Sequence, residues 1–219
     1  MSLKAAHTTA GKKIKYLFSS MFNVVAEFEE KIAAYFGAPY AVAVDCCTHG
    51  IELCLRLFNV KEITVPKRTY ISIPFLADKL QISLSWKDEK WVDYYCLTDT
   101  SLPLKVIDAA VLWEPASYIA GSYMCVSFQF QKHLSLGRGG VVLTDNAMHA
   151  ELLKRMSYDG RVPDMPWREQ DIPIVGYHYY MTPETAQMGL EKLPAAIETN
   201  PRQWEIEDWP DVSKMRVFN

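Results

Sequence analysis

The chain has 219 residues, of which 49% are hydrophobic and 22% are charged, a composition typical of folded globular proteins and not of disordered, collagen-like or coiled-coil ones. A formal net charge of -3 offers no basic surface for nucleic acid, so DNA- and RNA-binding proteins are disfavoured. Apolar stretches such as Tyr40–Val44 are far shorter than the roughly 20 residues of a membrane-spanning helix. Charged residues, Lys4 and Lys12 among them, interrupt any signal-peptide core at the N-terminus. We therefore expect a cytoplasmic protein that binds neither membrane nor nucleic acid.

The cysteines and histidines give no sign of a metal or disulfide framework. Five cysteines form an odd-numbered set without a C-x-x-C pair, and the five histidines show no ligand spacing. A reducing compartment is the natural interpretation, and the adjacent Cys46 and Cys47 are expected to pack as small buried hydrophobes. We predict no metal site.

The spacing of apolar residues alternates between helical and strand-like patterns, which predicts an α/β layer fold. The first half contains, in order, a helix over Met21–Phe36, a strand over Tyr40–Val44, a helix from Thr48, a strand over Glu62–Val65, a helix ending at Leu80 and one or two short strands between Ile82 and Leu97. The turn over Asp45–Thr48 joins a strand to a helix N-terminus. Such a turn is a ready anion-binding site.

The second half continues the alternation. Its predicted elements are strands over Lys105–Ile107, Met124–Phe128 and Val141–Thr144, a helix from Asn146 to Met156, a long loop over Asp159–Gly176 and a last helix from Thr182 to Pro194. Gly137–Gly140 lacks the spacing of a phosphate loop and predicts a hairpin-like turn. We expect one domain over residues 1–193, followed by a tail over residues 194–219 that lies on another surface.

Three polar residues stand at or near strand ends. Asp108 follows the apolar Val106-Ile107, at the carboxyl end of a strand, where open α/β sheets bind ligands. Ser127 lies within another strand, and Lys132 precedes the glycine-rich turn. Each has an ordinary structural explanation: a turn-forming aspartate, a buried serine bonded to backbone, and a solvated surface lysine.

Asp108, Ser127 and Lys132, taken together with the sequence around them, indicate a function more specifically than each residue does alone. The segment Ser127–Gly140 closely resembles the lysine motif of the sugar aminotransferases of the DegT/DnrJ/StrS type, which are fold-type I pyridoxal phosphate enzymes. Four further stretches resemble the same family in the same order: Tyr35–Gly50, Val65–Tyr70, Val106–Ala110 and Gly176–Thr182. The resemblance spans about residues 27–193. It implies an abbreviated aspartate-aminotransferase-like large domain, with a mostly parallel sheet between helices in three layers.

The resemblance also implies roles for the matched residues, with pyridoxal 5'-phosphate as cofactor. Lys132 would form a Schiff base with the cofactor aldehyde and later move a proton, and Asp108 would keep the pyridine nitrogen protonated. Tyr70 would stack on the cofactor ring. The phosphate would be bound by Cys47, Thr48 and Ser127.

His178 matches a position that is usually asparagine and that reaches the phosphate from the neighbouring subunit, so the resemblance implies a homodimer with shared active sites. Val111 stands where the family usually has histidine or glutamine near the phenolic oxygen, and Arg138 replaces a residue that is often acidic. The stretch between Tyr70 and Asp108 is shorter than in typical relatives, and we expect no separate C-terminal small domain.

The function that follows is transfer of an amino group from an amino acid such as glutamate to a keto sugar nucleotide. Two alternatives stay open. A related dehydratase is one, although in this family that activity accompanies loss of the lysine, and Lys132 is retained. The other is a truncated, non-catalytic homologue that binds cofactor or a partner chain and serves an interaction role.

Overall fold

The computed structural model describes residues 22–99, 104–163 and 165–219. Within these residues the helices are α1 over 22–36, α2 over Cys47–Leu57, α3 over Ser72–Leu80, α4 over Ala147–Ser157 and α5 over Pro183–Glu198. Met21, the predicted first residue of the first helix, lies outside the described residues. None of the helices in the described ranges combines the length and apolar character needed to cross a membrane.

The strands form a mixed sheet and a separate pair. They are β1 (Tyr40–Val44), β2 (Glu62–Pro66), β3 (Ser83–Lys87), β4 (Tyr95–Cys96), β5 (Lys105–Asp108), β6 (Ser122–Ser127) and β7 (Gly140–Thr144). Five strands form a sheet in the order β1-β7-β6-β5-β4, and β2 pairs with β3 in parallel.

The predicted α/β architecture is confirmed, with one correction to the sheet. In the five-stranded sheet β5 and β6 are parallel, whereas β7 is antiparallel to both β1 and β6, and β4 is antiparallel to β5. The sheet is therefore mixed and not mostly parallel. The reason is local: a hairpin-like loop over residues 128–139 connects β6 to β7, and strands joined in this way run in opposite directions.

Leu97 connects the strand pair to the larger sheet. The Thr64 N–H of β2 donates to the Leu97 carbonyl at 2.9 Å, and the Leu97 N–H donates to the Val106 carbonyl of β5 at 2.8 Å. The Leu97 side chain is fully buried. The two sheets are thus parts of one layer.

Helices cover both faces of this layer, which gives the predicted three-layer arrangement. One apolar core packs α1 and α5 against the sheet, with Phe28, Phe128 and Leu193 among its members. The other packs α2, α3 and α4 against the opposite face, with Ile51 and Leu153 among its members. Alternate residues of a strand point to opposite faces, so β1, β5, β6 and β7 contribute to both cores, whereas β2 and β3 contribute to the second core.

The last helix is longer than predicted. The sequence pattern places its end at Pro194, yet α5 continues to Glu198. A proline inside a helix removes one backbone hydrogen bond. Leu193 and Ala196, on either side of Pro194, are both buried in the core. Burial of this face therefore outweighs the lost bond.

The segment after α5 docks on the same chain. The Val212 N–H donates to the Lys67 carbonyl at 2.8 Å, and the Arg68 guanidinium donates to the Trp209 carbonyl at 2.7 Å. Farther on, Phe218 packs edge-on against Trp86 with ring centroids 5.2 Å apart. Backbone pairing and aromatic packing together hold this segment across the end of β2.

A glycine allows the close approach of α5 to α1. A Cβ atom at Gly189 would lie 2.4 Å from the ring of Phe28, which is fully buried. Gly189→Ala should lower the free energy of unfolding in urea by about 1–2 kcal/mol, because overpacking costs about 1–3 kcal/mol and the gain in helix propensity is smaller, about 0.5–1 kcal/mol. Met188→Ala, on the more exposed side of the helix, is the matched control and should change stability little. A Gly189→Ala protein as stable as wild type would contradict this packing.

Candidate active site

A cleft of about 460 Å³ lies at the carboxyl ends of β5 and β6, beside the N-terminus of α2. Asp108 is the last residue of β5 and Ser127 the last of β6, so two predicted residues enter the cleft from neighbouring parallel strands. Six of the seven predicted site residues line it: Cys47, Thr48, Tyr70, Asp108, Ser127 and Lys132. His178 is the exception.

Asp108 is a buried carboxylate held from two sides. The hydroxyl of Tyr95 donates to Oδ2 at 2.6 Å, and the Ala110 N–H donates to Oδ1 at 3.0 Å. Burial raises the pKa of Asp108, while these hydrogen bonds and the charge of Lys132 act in the opposite direction. Asp108 is therefore a fixed hydrogen-bond acceptor at the floor of the cleft.

Lys132 lies on the loop after β6, where its N–H bonds to the Gln129 carbonyl at 2.8 Å. Burial lowers the pKa of Lys132, although the nearby Asp108 and Cys47 oppose the shift. Its Nζ atom lies 4.4 Å from the centre of the Trp204 ring and 5.4 Å from that of Trp209. A lowered pKa increases the fraction of neutral amine, which is the nucleophilic form.

The N-terminus of α2 forms the other end of the cleft. Its N-cap residue, Cys46, has an extended backbone and makes no side-chain capping bond. The Thr48 and Ser72 hydroxyls are 2.7 Å apart, and both line the cleft with Ser127. A helix N-terminus surrounded by hydroxyl groups can bind a phosphate group.

Gly140 positions this helix end. An added Cβ atom at Gly140 would lie 2.4 Å from the Cys47 nitrogen and 2.8 Å from the Cys46 carbonyl carbon. Only glycine allows the start of β7 to pass directly beneath the first residues of α2. The last glycine of this turn therefore allows close contact between β7 and the first residues of α2.

Charged residues flank this end of the cleft. Asp45 accepts hydrogen bonds from Arg138 at 2.7 Å and from His49 at 2.6 Å. Burial lowers the pKa of His49, but the hydrogen bonds to Asp45 and Cys46 raise it more, to about 9. Potential metal ligands on Asp45, Cys46 and His49 lie within 4.8 Å of one another, but Arg138 and His49 already occupy both oxygens of Asp45. The group is an ion-pair cluster with cationic side chains near the N-terminus of α2.

Aromatic and apolar side chains form the walls. Tyr70 is 54% exposed and lines the cleft, so one face of its ring is open to a ligand. Val111, which is buried, contributes an apolar surface to the cleft. Trp91 and Trp209 complete the wall near Lys132.

His178 lies outside the cleft of its own chain. Its side chain is 70% exposed, and Nδ1 lies 3.1 Å from the Asp159 carboxylate. The ring also packs edge-on against Tyr180. His178 is therefore available to a second molecule and not to the cleft described above.

Several cleft residues were missed by sequence reasoning. This group contains Tyr95, which lies behind Asp108. It also contains four residues that line the cleft: Thr69, Ser72, Trp91 and Trp209. Ser72 could have been suggested by its position two residues after Tyr70. Tyr95 lies in the stretch whose pattern was ambiguous, and no local signal places Trp209 at the cleft.

Comparison with known proteins identifies the family. The sequence profile of the DegT/DnrJ/EryC1/StrS aminotransferase family matches residues 12–79 and 119–208, which is more than half of the chain. This chain belongs to that family. It is 24% identical over 242 residues to GDP-perosamine synthase of Caulobacter vibrioides, an alignment that covers 92% of this chain and 64% of that protein.

Solved structures share the fold. The sugar aminotransferase CalS13 from Micromonospora echinospora superposes with a TM-score of 0.66 at 17% identity, covering 80% of this chain and 61% of that one. A protein of Streptococcus pneumoniae solved in its PLP form gives a TM-score of 0.64 at 19% identity, covering 78% and 59%. The chain thus spans about three fifths of the length of these relatives.

The residues present in the cleft fit pyridoxal phosphate. A helix N-terminus with three hydroxyl groups suits the phosphate, the buried Asp108 suits a protonated ring nitrogen, and the amine of Lys132 suits an aldehyde. Beside Lys132, the indole nitrogen of Trp209 is the one buried side-chain nitrogen or oxygen among the described residues that has no hydrogen-bond partner. An enclosed donor without a partner at the cleft wall is consistent with a site that receives a polar ligand.

Trp209 should hold the C-terminal segment at the cleft. Its ring packs between those of Trp204 and Trp91, at centroid distances of 5.4 and 5.7 Å. Trp209→Ala should remove about 3 kcal/mol of packing free energy. Hydrogen exchange at the Val212 N–H should then become about 100-fold faster. Trp167→Ala, which changes a tryptophan that is 68% exposed, is the control and should leave this exchange unchanged. Equal exchange rates in the two variants would show that Trp209 does not anchor the segment.

Proposed function

We propose that this chain is a pyridoxal phosphate-dependent aminotransferase of the cytoplasm that moves an amino group from an amino acid such as glutamate to a keto sugar nucleotide. The observation that supports this most directly is that Lys132 and Asp108 line one cleft whose other end is a helix N-terminus rich in hydroxyl groups. Membership of the aminotransferase family agrees with this chemistry.

Bound pyridoxal phosphate supplies an electron sink that stabilises negative charge on the substrate carbon next to the amino group. Lys132 is the residue whose amine would hold the cofactor through its aldehyde group, and the same amine would be placed to accept and return the substrate proton. Its lowered pKa favours both roles. Asp108 would accept a hydrogen bond from the ring nitrogen and would favour its protonated form.

Other cleft residues bind and orient. The N–H groups of Cys47 and Thr48, with the hydroxyls of Thr48 and Ser127, would hold the phosphate. The Tyr70 ring, which is 54% exposed and lines the cleft, would pack against the cofactor ring. A cofactor held at three points, by its phosphate, its ring nitrogen and its aldehyde, keeps one orientation during the reaction.

The sugar substrate is supported by the names of similar proteins, which include a GDP-perosamine synthase and a sugar aminotransferase. The dehydratase alternative is disfavoured because Lys132 is present in the cleft. A cofactor-binding protein without aminotransferase activity is the second candidate. It is favoured by Val111, whose apolar side chain lines the cleft and cannot hydrogen bond to the cofactor's phenolic oxygen.

Borohydride reduction of the protein supplied with pyridoxal phosphate should leave a stable cofactor adduct on Lys132, found by peptide mass mapping. Lys132→Ala should abolish this adduct. Lys192→Ala, whose exposed ammonium bonds to the Ser135 carbonyl, is the matched control and should retain it. A folded wild-type protein without an adduct on Lys132 would contradict cofactor binding through this residue.

A parallel experiment on protein with bound pyridoxal phosphate that has not been reduced separates the two candidates. Adding glutamate to the yellow protein should bleach it, since an aminotransferase converts the bound aldehyde form of the cofactor to the amine form. A protein that carries the adduct on Lys132 but keeps its colour with glutamate and other amino acids would favour the non-catalytic candidate.

We also propose that two copies of this chain form a dimer in which His178 of each copy binds the phosphate in the other's cleft. The His178 side chain is 70% exposed and does not line its own cleft. Tyr70 and Phe130 line the cleft and are 54% and 65% exposed. Large aromatic surfaces at a cleft mouth are typical of a protein interface.

A hybrid dimer tests this arrangement. Lys132→Ala alone should bind no cofactor covalently, and His178→Ala alone should bind it about tenfold more weakly because a hydrogen bond to a charged group is lost. When the two variants are mixed in equal amounts, about half of the dimers should be hybrids, and each hybrid contains one intact site and one doubly altered site. About a quarter of all sites should therefore regain wild-type affinity. A mixture without any tight site, or a protein that sediments as a monomer, would contradict the proposal.

A further inference from the structure

Tyr95 is enclosed behind the cleft, directly beside Asp108. The two residues face each other in the pairing of β4 with β5. The Tyr95 hydroxyl lies 2.6 Å from Oδ2 of Asp108 and 2.6 Å from Oγ1 of Thr69. Tyr95 is 5% exposed and Thr69 is 2% exposed, so water does not compete for these bonds.

The direction of the hydrogen bonds follows from the chemistry of the groups. An ionised carboxylate can only accept, so the Tyr95 hydroxyl must donate its single proton to Asp108. That leaves the Tyr95 oxygen as an acceptor, and the Thr69 hydroxyl must donate to it. Thr69, Tyr95 and Asp108 therefore form a chain in which every hydroxyl proton points toward the carboxylate.

This chain opposes the cost of burying the charge. Desolvation disfavours the ionised form of a buried carboxyl, and hydrogen bonds to the carboxylate favour it. The groups that face Asp108 from the surrounding elements are Tyr95 on β4, Cys47 on α2, Cys125 on β6 and Lys132 on the loop after β6. Burial raises the pKa values of the two cysteines, which therefore stay neutral. Among these side chains, Tyr95 is the one that donates a hydrogen bond to the carboxylate.

We propose that Tyr95 is a positioning residue, supported by Thr69, which keeps Asp108 ionised and its carboxylate fixed so that it can hold the protonated ring nitrogen of the cofactor. This inference rests on the proposed function. Tyr95 does not itself line the cleft, so it acts through Asp108. Its ring is held in turn by Trp91, whose centroid lies 5.0 Å away in an edge-on arrangement.

Tyr95→Phe removes the hydroxyl and keeps the ring, so packing against Trp91 is preserved. Tyr94→Phe is the matched control, because Tyr94 is the adjacent residue, is 43% exposed and is not one of the two groups that bond to the Asp108 carboxylate. Both proteins are prepared without cofactor and titrated with pyridoxal phosphate. The absorption spectrum of the bound cofactor is recorded against pH.

Tyr95→Phe should bind pyridoxal phosphate about tenfold more weakly, as expected for loss of a hydrogen bond to a charged group. Its spectrum should report a ring nitrogen that loses its proton at lower pH than in wild type. Tyr94→Phe should match wild type in both measurements. A purely structural role for Tyr95 would lower the melting temperature without moving the spectral titration.

A folded Tyr95→Phe protein with wild-type affinity and a wild-type spectral titration would overturn the inference. If Tyr95→Phe does not fold, Thr69→Val gives the answer, because it leaves Tyr95 in place and removes the group that donates to it. Thr69→Val should weaken pyridoxal phosphate binding about threefold, a smaller effect than that of Tyr95→Phe and of the same sign. Unchanged binding would overturn the inference. A wild-type protein that binds no pyridoxal phosphate would overturn the proposed function itself, a result distinct from equal binding by wild type and variant.

Discussion

A carboxylate without water around it is stable only when hydrogen bonds and counter-charges compensate for the lost hydration. Asp108 is in this position at the end of β5. Its two oxygens are bonded to Tyr95 and to the Ala110 N–H, and Lys132 supplies an opposite charge. This buried charge at the floor of the cleft thus depends on the short strand β4, which carries Tyr95, and on the loop that carries Lys132.

Much of the fold and the core of the site could be predicted from the sequence because their signals are local. The spacing of apolar residues predicts where strands end and where a helix begins. It therefore predicts that Asp108 lies at a strand end and Thr48 at a helix N-terminus. The association of Lys132 with them came from the resemblance of five ordered motifs. The hairpin-like turn predicted at Gly137–Gly140 agrees with the antiparallel pairing of β6 and β7, whereas the expectation of a mostly parallel sheet came from the family resemblance.

The residues that prediction missed depend on distant parts of the chain. The strand β4 has two residues, too few for an alternating pattern. The sequence therefore did not predict that Tyr95 lies on a strand beside Asp108. Trp209 reaches the cleft through contacts with residues such as Arg68, which precedes it by 141 positions. The continuation of α5 past Pro194 has a similar cause, since burial of Ala196 outweighs a local helix-breaking signal.

The bridge made by Leu97 between β2 and β5 has a consequence for the order of folding. Tyr95 reaches Asp108 only where β4, immediately before this bridge, pairs with the larger sheet. Non-local pairings of this kind form slowly, because the chain entropy lost in closing the loop comes before the contacts are gained. We expect the site to be completed when the two sheets join, and to be lost when that junction opens. A ligand that binds only the joined form would then stabilise the whole chain in proportion to the logarithm of its concentration.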